Sequence, residues 1–321
     1  MQHDLPALEA AARIVHAAMP PTPQYAWPLL SARLGAEAWV KHENHTPTGA
    51  FKVRGGLVFL DRLKASRPDV PGIVSATRGN HGQSLAYAGR RHGVAVTIVV
   101  PRGNSTEKNA AMRAFGAELI EHGADFDAAR EHAASLAAER GLVFAPSFAP
   151  DLVAGVASYA LELFRGAPPL DTVYVPVGLG SGICGVIAAR DALGLATEVV
   201  GVQSTGANAY ALSFAAGHVV TTNHATTNAD GMATRVPDAE ALAIIRRGAA
   251  RIVEVTDDQV AEAIRAYWTD THNLAEGAGA APLAAAMVER KRIAGTRVGL
   301  ILCGGNIDLA LFRSWVLGER P

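Results

Sequence analysis

Short apolar runs, rich in β-branched residues, alternate along the chain with longer segments in which apolar residues recur at helical spacing. The runs include AVTIVV from Ala95, LVFAP from Leu142, TVYVPV from Thr172, EVVGV from Glu198 and RVGLILC from Arg297. The longer segments include SLAYAGRRHG from Ser84, TEKNAAMRAFG from Thr106, FDAAREHAASLAAERG from Phe126 and DDQVAEAIRAYW from Asp257. This alternation predicts parallel sheets covered by helices on both faces. Ligands of such sheets bind in the turns that follow the carboxyl ends of the strands.

The composition fits one folded unit with two lobes. Of the 321 residues, 49% are hydrophobic and 18% are charged, so the chain can bury a large core or two smaller ones. A net charge of −1, without runs of like charge, argues against nucleic acid or a membrane as partner and favours a small molecule. The sequence lacks a signal peptide, a spanning segment and a disulfide scaffold, which predicts a cytoplasmic enzyme.

One lysine stands in an unusual setting. Lys52 lies between Phe51 and Val53 in TPTGAFKVRGG, with glycines close on both sides. Taken alone, the stretch leaves two interpretations open, a solvated surface lysine or a reactive amine. Loss of hydration in an apolar site disfavours the ammonium form and leaves more free amine to attack an aldehyde.

A glycine-rich turn follows the apolar run TVYVPV. It contains five residues ahead of a helical segment: Gly178, Leu179, Gly180, Ser181 and Gly182. Glycines let backbone N–H groups approach an anion closely, and the helix dipole adds to the attraction, so the turn is typical of a phosphate site. The alternative is a tight turn without a ligand.

The same turn also matches a dinucleotide fingerprint. GSGICG from Gly180 fits G-x-G-x-x-G, the pattern of nicotinamide-dependent oxidoreductases. Ribose recognition there requires an acid at the end of the next strand, whereas this strand begins with Glu198 and ends near Gln203. A phosphate-bearing cofactor other than a dinucleotide is therefore the better prediction.

Three further segments place polar groups beside predicted strand ends or helix starts. SATRGNHGQ from Ser75 offers N–H donors and Arg78 to a carboxylate, or it forms a plain helix cap on Asn80 with a solvated arginine. Cys303 ends the last strand, where packing alone favours a small buried hydrophobe. Glu276 opens EGAGAAPLAAA, where an ordinary first-turn acid is the alternative.

Taken together and in order, these segments resemble the pyridoxal-phosphate-dependent serine/threonine dehydratase family, of the tryptophan-synthase-β fold (fold type II). KHENHTPTGAFKVRGG from Lys41 is similar to the family's K-x-E-x-x-Q-x-T-G-S-F-K-x-R-G-A. The glycine turn matches its phosphate loop, and CGGNID from Cys303 matches its S-G-G-N-x-D. Such landmarks extend from Glu43 to Asp308, which is nearly the whole chain.

The resemblance implies an α/β fold with two lobes, each an open, mostly parallel twisted sheet flanked by helices, with the active site in the cleft between lobes. Residues 1–68 and 150–321 would form the large cofactor-binding domain, and residues 69–149 the smaller, mobile domain. A homodimer is implied as well.

The resemblance also assigns roles to residues. Lys52 would form a Schiff base with pyridoxal 5'-phosphate, Asn80 would bond the ring hydroxyl and Cys303 the pyridine nitrogen. The full set of cofactor-binding residues would be Lys52, Phe51, Asn80, Gly178, Leu179, Gly180, Ser181, Gly182, Glu276, Cys303 and Gly304. The substrate would contact Ser75, Thr77, Arg78, Gly79, Asn80 and His81.

The implied activity is dehydration and deamination of an L-β-hydroxy amino acid to a 2-oxo acid and ammonia, with Lys52 removing the Cα proton. Threonine or serine is the default substrate, and a bulkier one such as 3-phenylserine or 3-hydroxyaspartate is the close variant. Alternatives within the fold are a serine racemase or a β-replacing enzyme. Alternatives from other classes are the nicotinamide oxidoreductase and a catalytically silent cofactor-binding protein.

Three departures from the family pattern qualify these implications. Ala50 replaces the usual serine before Phe-Lys. Arg78 stands where dehydratases often have alanine and racemases a serine, and an arginine is too basic to donate a proton readily at Cα, which argues against racemisation. The segment from Gln203 to Ala209 lacks the carboxylates with which some members bind a divalent cation, so we predict no metal site there.

Overall fold

The computed structural model describes residues 4–319 of the chain. Residues 1–3 and 320–321, which the predicted large domain includes, lie outside the described part. The strands are Gln24–Ala26 (β1), Glu37–His42 (β2), Ile73–Ala76 (β3), Val96–Val100 (β4), Glu118–Glu121 (β5), Val143–Phe144 (β6), Thr172–Pro176 (β7), Glu198–Ser204 (β8), Ala249–Val255 (β9) and Arg297–Leu302 (β10).

Helices separate almost all of these strands. They are Leu5–His16 (α1), Pro28–Leu34 (α2), Lys52–Ser66 (α3), Asn80–His92 (α4), Thr106–Ala114 (α5), Phe126–Arg140 (α6), Pro150–Gly166 (α7), Ser181–Ala192 (α8), Ala209–Ala216 (α9), Ala239–Gly248 (α10), Asp257–Thr271 (α11), Gly277–Val288 (α12), Arg290–Ile293 (α13) and Leu309–Leu311 (α14). A π-helical turn, Phe312–Val316, follows the last helix. Among residues 4–319, none of the helices combines the length and apolar composition that a bilayer crossing requires.

The strands form two sheets, as the alternation predicts. The larger sheet has the order β1-β2-β10-β7-β8-β9 and is parallel except for the antiparallel edge strand β1. The smaller sheet has the order β5-β4-β3-β6 and is entirely parallel. The predicted α/β class with two mostly parallel sheets is confirmed, and the smaller sheet lies within residues 69–149.

Helix α3, which begins at Lys52, lies between the two lobes. Its apolar residues Val53 and Leu57 belong to the core of the smaller lobe. On its other side it approaches α7 so closely that a Cβ on Gly155 would clash with the carbonyl oxygen of Arg54. A Cβ on Gly56 would likewise collide with Ser84 of α4, so glycines are required where three helices meet. The start of α3 is thereby fixed by packing from both lobes.

The helix starts fall into two groups. Five helices, α1, α5, α6, α10 and α11, have side-chain caps, from Asp4, Ser105, Asp125, Asp238 and Thr256. In contrast, α3, α4, α8 and α12 begin without a side-chain cap, after Phe51, Gly79, Gly180 and Glu276. Uncapped helix starts leave backbone N–H groups available to an anion or a ligand. These four helices begin in segments that the sequence assigns to the site, whereas α2, α7, α9, α13 and α14, which also lack a side-chain cap, begin elsewhere.

Candidate active site

Backbone contacts bring the start of α3 against the end of β10. The N–H of Phe51 donates to the carbonyl oxygen of Cys303 at 2.9 Å, and Ala50 forms an antiparallel bridge with Gly304. The N–H of Glu276 donates to the carbonyl oxygen of Gly304 at 3.0 Å. Segments more than 200 residues apart in sequence therefore meet at one place.

Lys52 lies half-buried at this junction. Its ammonium makes no hydrogen bond or ion pair with any residue between 4 and 319, and Nζ stands 4.9 Å from the centroid of the Phe51 ring. Loss of hydration lowers the pKa of Lys52, and the nearby Cys303 and Glu276 act in the opposite direction without reversing the shift. The side chain therefore has more free amine than a surface lysine at the same pH.

The glycine-rich turn lies beside Phe51, since a Cβ on Gly182 would contact the Phe51 ring at 3.6 Å. Gly180 has φ 103°, which favours glycine, and a Cβ on Gly178 would clash with the carbonyl oxygen of Gly231. Within the described residues, the backbone N–H groups of Gly180, Ser181 and Gly182 have no acceptor. The turn is a cradle of free donors at a helix start, which fits a phosphate group.

Asn80 is held by two side chains of the larger lobe. Its Nδ2 donates to both carboxylate oxygens of Glu276, at 2.8 and 3.1 Å. Its Oδ1 accepts a hydrogen bond from Asn306 at 2.8 Å, and Asn306 also donates to the carbonyl oxygen of Thr48 at 2.8 Å. This chain of hydrogen bonds fixes the start of α4 against the end of β10.

Glu276 is buried, with 3% of its surface exposed. Burial raises the pKa of Glu276 to about 7, and the Asp230 carboxylate acts in the same direction, while Lys108, Asn80 and Lys52 oppose the shift. Near neutral pH the carboxyl group is therefore divided between its protonated and ionised forms.

In the turn from Ser75 to His81, some polar side chains have hydrogen-bond partners within the described chain and others do not. The hydroxyl of Ser75, which lies within β3, donates to the carbonyl oxygen of Ala145 at 2.7 Å. Thr77 Oγ1 accepts from the N–H of Gly79 at 3.1 Å. These two hydroxyls shape the turn.

Two other side chains of this turn have polar atoms without a hydrogen-bond partner in the described chain. Arg78 is exposed, and its guanidinium forms neither a hydrogen bond nor an ion pair within residues 4–319. His81 is buried, and its Nε2 is without a partner among the same residues. Burial and the charge of Lys52 lower the pKa of His81 to about 3, although a hydrogen bond with the Pro146 backbone acts to raise this pKa. A neutral, buried ring nitrogen without a partner indicates a place where a ligand supplies the missing hydrogen bond.

Cys303 is buried at the end of β10. Burial raises the pKa of its thiol well above the usual value, and Glu276 adds to the shift. The thiol is therefore neutral. The adjacent Gly304 has no room for a side chain, since a Cβ would lie 2.6 Å from Glu276 Oε1.

The donor set fits pyridoxal phosphate. It supplies a desolvated amine for an aldehyde, free N–H donors for a phosphate, and a neutral thiol beside an anchored amide. The predicted cofactor residues lie together around Lys52. The Ser75 hydroxyl, which the resemblance assigned to substrate, instead donates to the carbonyl oxygen of Ala145.

Polar contacts that the sequence did not predict join α5 and the residue before it to the larger lobe. Lys108 of α5 donates to Asp230 of the larger lobe at 2.5 Å, and Ser105 donates to Asp308 at 2.6 Å. The N–H of Leu309 donates to Glu107 at 3.0 Å. Lys108 sits in an amphipathic segment that gave no signal of a site. Asp230 belongs to the polar stretch GHVVTTNHATTNADG, from Gly217 to Gly231, which from sequence is either a surface loop or the lining of a site.

The segment from Gln203 to Ala209 is organised by an amide. Gln203 is fully buried, its Oε1 accepts from the N–H of Ala211 at 2.8 Å, and its Nε2 donates to the carbonyl oxygen of Val177 at 3.5 Å. The amide therefore connects the end of β8 to the first turn of α9. Within residues 4–319, no group of three or more His, Cys, Asp or Glu side chains is arranged to hold a metal ion.

Comparisons with known proteins agree with this geometry. The family model described as "Pyridoxal-phosphate dependent enzyme" matches residues 15–304. The chain is 34% identical over 283 residues to the L-threonine ammonia-lyase of Geobacter sulfurreducens, covering 87% of this chain and 69% of that protein. It is 30% identical to the L-threo-3-hydroxyaspartate ammonia-lyase of Saccharomyces cerevisiae, covering 93% of this chain and 92% of that one.

Among solved structures, the processed form of threonine deaminase isoform 2 from Solanum lycopersicum superposes with a TM-score of 0.90 at 29% identity, covering 98% of this chain and 94% of that chain. The predicted enzyme class, a pyridoxal-phosphate-dependent ammonia-lyase, is thereby confirmed. The family model matches nine-tenths of the chain, and the lysine, the glycine turn and the strand-end cysteine meet at the start of α3, so the chain belongs to the pyridoxal-phosphate-dependent enzyme family.

Proposed function

We propose that the protein dehydrates and deaminates an L-β-hydroxy amino acid to a 2-oxo acid and ammonia. Threonine, serine and 3-hydroxyaspartate are the candidate substrates, and 3-phenylserine is a bulkier variant. The observation that carries the proposal is the Lys52 amine, which is desolvated and without a hydrogen-bond partner in the described chain, beside a helix start whose N–H donors are free.

Each binding residue has a role in this proposal. The N–H groups of the turn from Gly178 to Gly182, with Leu179 and Ser181 inside it, hold the cofactor phosphate, and the Phe51 ring packs beside them. Asn80, fixed by Glu276, would orient the cofactor ring, and Cys303, next to Gly304, would bond the pyridine nitrogen. When bound, pyridoxal phosphate withdraws the electron pair of the breaking Cα–H bond.

Lys52 is the base in the proposed reaction. Its free amine takes the proton from the substrate Cα and holds it at Nζ, where the low pKa of the site makes release easy. The β-hydroxyl leaves with one proton as water, which balances the proton taken from Cα. The enamine that remains tautomerises to an imine, and a second water adds to the imine carbon and releases ammonia. A neutral thiol at Cys303 gives the pyridine nitrogen no charge partner, which favours elimination over reactions that need a fully protonated ring.

The turn at the start of α4 is the proposed site of the substrate α-carboxylate. Its N–H groups lack a side-chain cap, and His81 presents an unpartnered Nε2 within the described residues. Gly79 lets the carboxylate approach the backbone, Thr77 and Ser75 hold the turn in shape, and Arg78 stands at its rim.

The assembly and location of the enzyme belong to the same proposal. We infer a homodimer in the cytoplasm, with residues 69–149 moving as the smaller domain when substrate binds. Light scattering of the purified enzyme tests the dimer, and a monomer at micromolar concentration would contradict it.

A 2-oxo acid assay across a panel of L-β-hydroxy amino acids tests the proposed reaction. The panel holds threonine, serine, threo-3-hydroxyaspartate and 3-phenylserine, with the D-enantiomers as controls. We expect 2-oxo acid and ammonia in equal amounts from at least one L-substrate. Absence of both products from every member, in enzyme shown to contain cofactor, would overturn the proposal.

A further inference from the structure

Two cations flank Gly79, and they differ in burial. Arg78 is exposed, whereas Lys108 has only 8% of its surface exposed. The stem of Lys108 lies against the turn, since a Cβ on Gly79 would stand 2.6 Å from Lys108 Cδ. Lys108 thus lies beside the turn that the proposed function assigns to the α-carboxylate.

The ion pair of Lys108 is asymmetric. Nζ donates to Asp230 Oδ2 at 2.5 Å, which engages one of its three N–H donors. The Asp230 side chain is 41% exposed and that of Lys108 only 9%. The carboxylate can therefore rotate into water at little cost, whereas the ammonium stays buried and needs another anion.

The surroundings keep Lys108 charged. Burial acts to lower its pKa, but the carboxylates of Asp230, Glu276 and Asp308 outweigh burial and raise it. Asp308 is itself engaged by Ser105 and Glu276 by Asn80. Asp230 is then the one hydrogen-bond partner of the ammonium in residues 4–319, and it is the anion that a ligand can replace.

From this geometry we propose that Lys108 determines substrate specificity by pairing with a carboxylate on the β-carbon of the substrate, in exchange for Asp230. The preferred substrate class is therefore acidic, as in L-threo-3-hydroxyaspartate. This inference rests on the proposed function, because it assumes that the α-carboxylate occupies the turn next to Gly79. Lys108 affects substrate binding and the preference for acidic substrates, whereas Lys52 removes the Cα proton.

The test compares kcat/KM for threo-3-hydroxyaspartate and for serine in four holoenzyme variants. Lys108→Met keeps the stem and removes the charge, so the ratio of the two values should fall at least about tenfold. Asp230→Asn removes the competing anion, so the ratio should hold or rise. Arg113→Met, an exposed charge on the same helix, controls for loss of charge from α5, and Arg78→Ala asks whether the neighbouring cation has the role instead.

A ratio that falls in Lys108→Met and holds or rises in Asp230→Asn supports the inference. Equal losses on both substrates in both variants would show that the pair only holds the lobes together, and would overturn it. A fall of the ratio in Arg78→Ala but not in Lys108→Met would overturn it as well. If the unaltered enzyme acts on no hydroxy amino acid at all, the proposed function fails first and this inference fails with it.

A binding measurement adds a readout that does not depend on turnover. Succinate and butyrate have the same carbon chain and differ by one carboxylate. Calorimetry on the holoenzyme should find succinate bound more tightly, with the difference lost in Lys108→Met and kept in Asp230→Asn. A difference that survives in Lys108→Met would contradict the role of Lys108.

Discussion

Lys52 and Arg54 stand two residues apart on the first turn of α3, yet their charges meet different surroundings. Residues at i and i+2 of a helix face different directions, so one side chain enters the cleft and the other enters the core. Arg54 is fully buried and donates to both oxygens of Glu43, at 2.6 and 2.9 Å, and to both of Glu162, at 2.6 and 2.9 Å. Lys52 has no such partner within residues 4–319.

The charged groups around Arg54 form a structural ion cluster, whereas those around Lys52 form a functional one. Around Arg54, the second cation Lys41 donates to Glu162 at 2.6 Å and to the carbonyl oxygen of Thr22 at 2.8 Å, so two cations balance two carboxylates. The carboxyl group whose charge acts on Lys52 is Glu276, which is bound to the neutral Asn80. Arg54 is fully buried and Lys52 half-buried, but only the second cluster leaves an amine free for chemistry. Burial alone does not identify a catalytic lysine, whereas an unsatisfied donor does.

The largest expected effect concerns Lys52. Lys52→Ala removes the amine that binds cofactor and moves the Cα proton, so kcat/KM on the best substrate should fall by about 10³-fold or more. Steady-state release of 2-oxo acid, corrected for cofactor content, measures it. Retention of near-normal activity would place the base elsewhere.

A companion variant tests whether Lys52 is dispensable for folding. Lys52→Met keeps the stem and removes a desolvated charge, so the free energy of unfolding of the cofactor-free protein should hold or rise. Denaturant unfolding of both proteins at one pH measures the difference. A large loss of stability would mean that Lys52 has a partner in the folded state after all.

Arg54 should behave in the opposite way. Arg54→Met leaves Glu43 and Glu162 buried against a neutral side chain, so the free energy of unfolding should fall by about 3–5 kcal/mol. Denaturant unfolding measures the loss, and the fraction that remains folded should retain much of its kcat. A stable but inactive Arg54→Met protein would move this cluster from the structural class to the catalytic one.

The two buried glutamates should give pH dependences of opposite sign. The pKa of Glu276 is raised to about 7 from 4.5, so its contribution to stability is complete below pH 4.5 and is lost as the pH rises through 7. Arg54 and Lys41 lower the pKa of Glu162 to about 2 in spite of burial, so its contribution is complete above pH 4.5 and is lost as the pH falls toward 2.

Glutamine variants isolate these two contributions. Relative to Glu276→Gln, the unaltered cofactor-free protein should lose stability between pH 4.5 and 7. Relative to Glu162→Gln, it should lose stability between pH 4.5 and 2. Urea unfolding across pH measures both differences, and parallel curves in either pair would contradict the assigned shift.

The smallest expected effect is that of metal removal. Gln203 uses its amide oxygen on the first turn of α9, where a hard cation would need carboxylates. Activity after dialysis against a chelator should change by less than about twofold, and the midpoint of thermal unfolding should not move. Loss of activity that magnesium restores would show a cation site that the amide does not replace.

The sequence was informative where the role of a residue depends on its type and on its immediate neighbours in the chain. Lys52, the turn from Gly178 and Cys303 each lie in or next to a glycine-rich segment, and in the structure they meet around Phe51. The fold class also followed from the alternation of apolar runs and amphipathic segments.

Other features depend on contacts between distant segments. Lys108 looked like the polar face of α5, but its stem packs against Gly79 and its ammonium pairs with Asp230, more than 100 residues later. The sequence also did not predict the different environments of Lys52 and Arg54, because these depend on Glu43 and Glu162 packing against the core side of α3. The predicted domain boundary at residue 69 assigns α3 to the large domain, whereas apolar residues of α3 contribute to the core of the smaller lobe.

Borohydride reduction of the holoenzyme, followed by peptide mapping, tests the central claim most directly. Reduction fixes the cofactor covalently to the lysine that holds it. The account predicts label on the peptide containing Lys52 and none on Lys41, which is buried but paired with Glu162. Label on Lys41, or an enzyme that releases 2-oxo acid yet takes no label at Lys52, would contradict it.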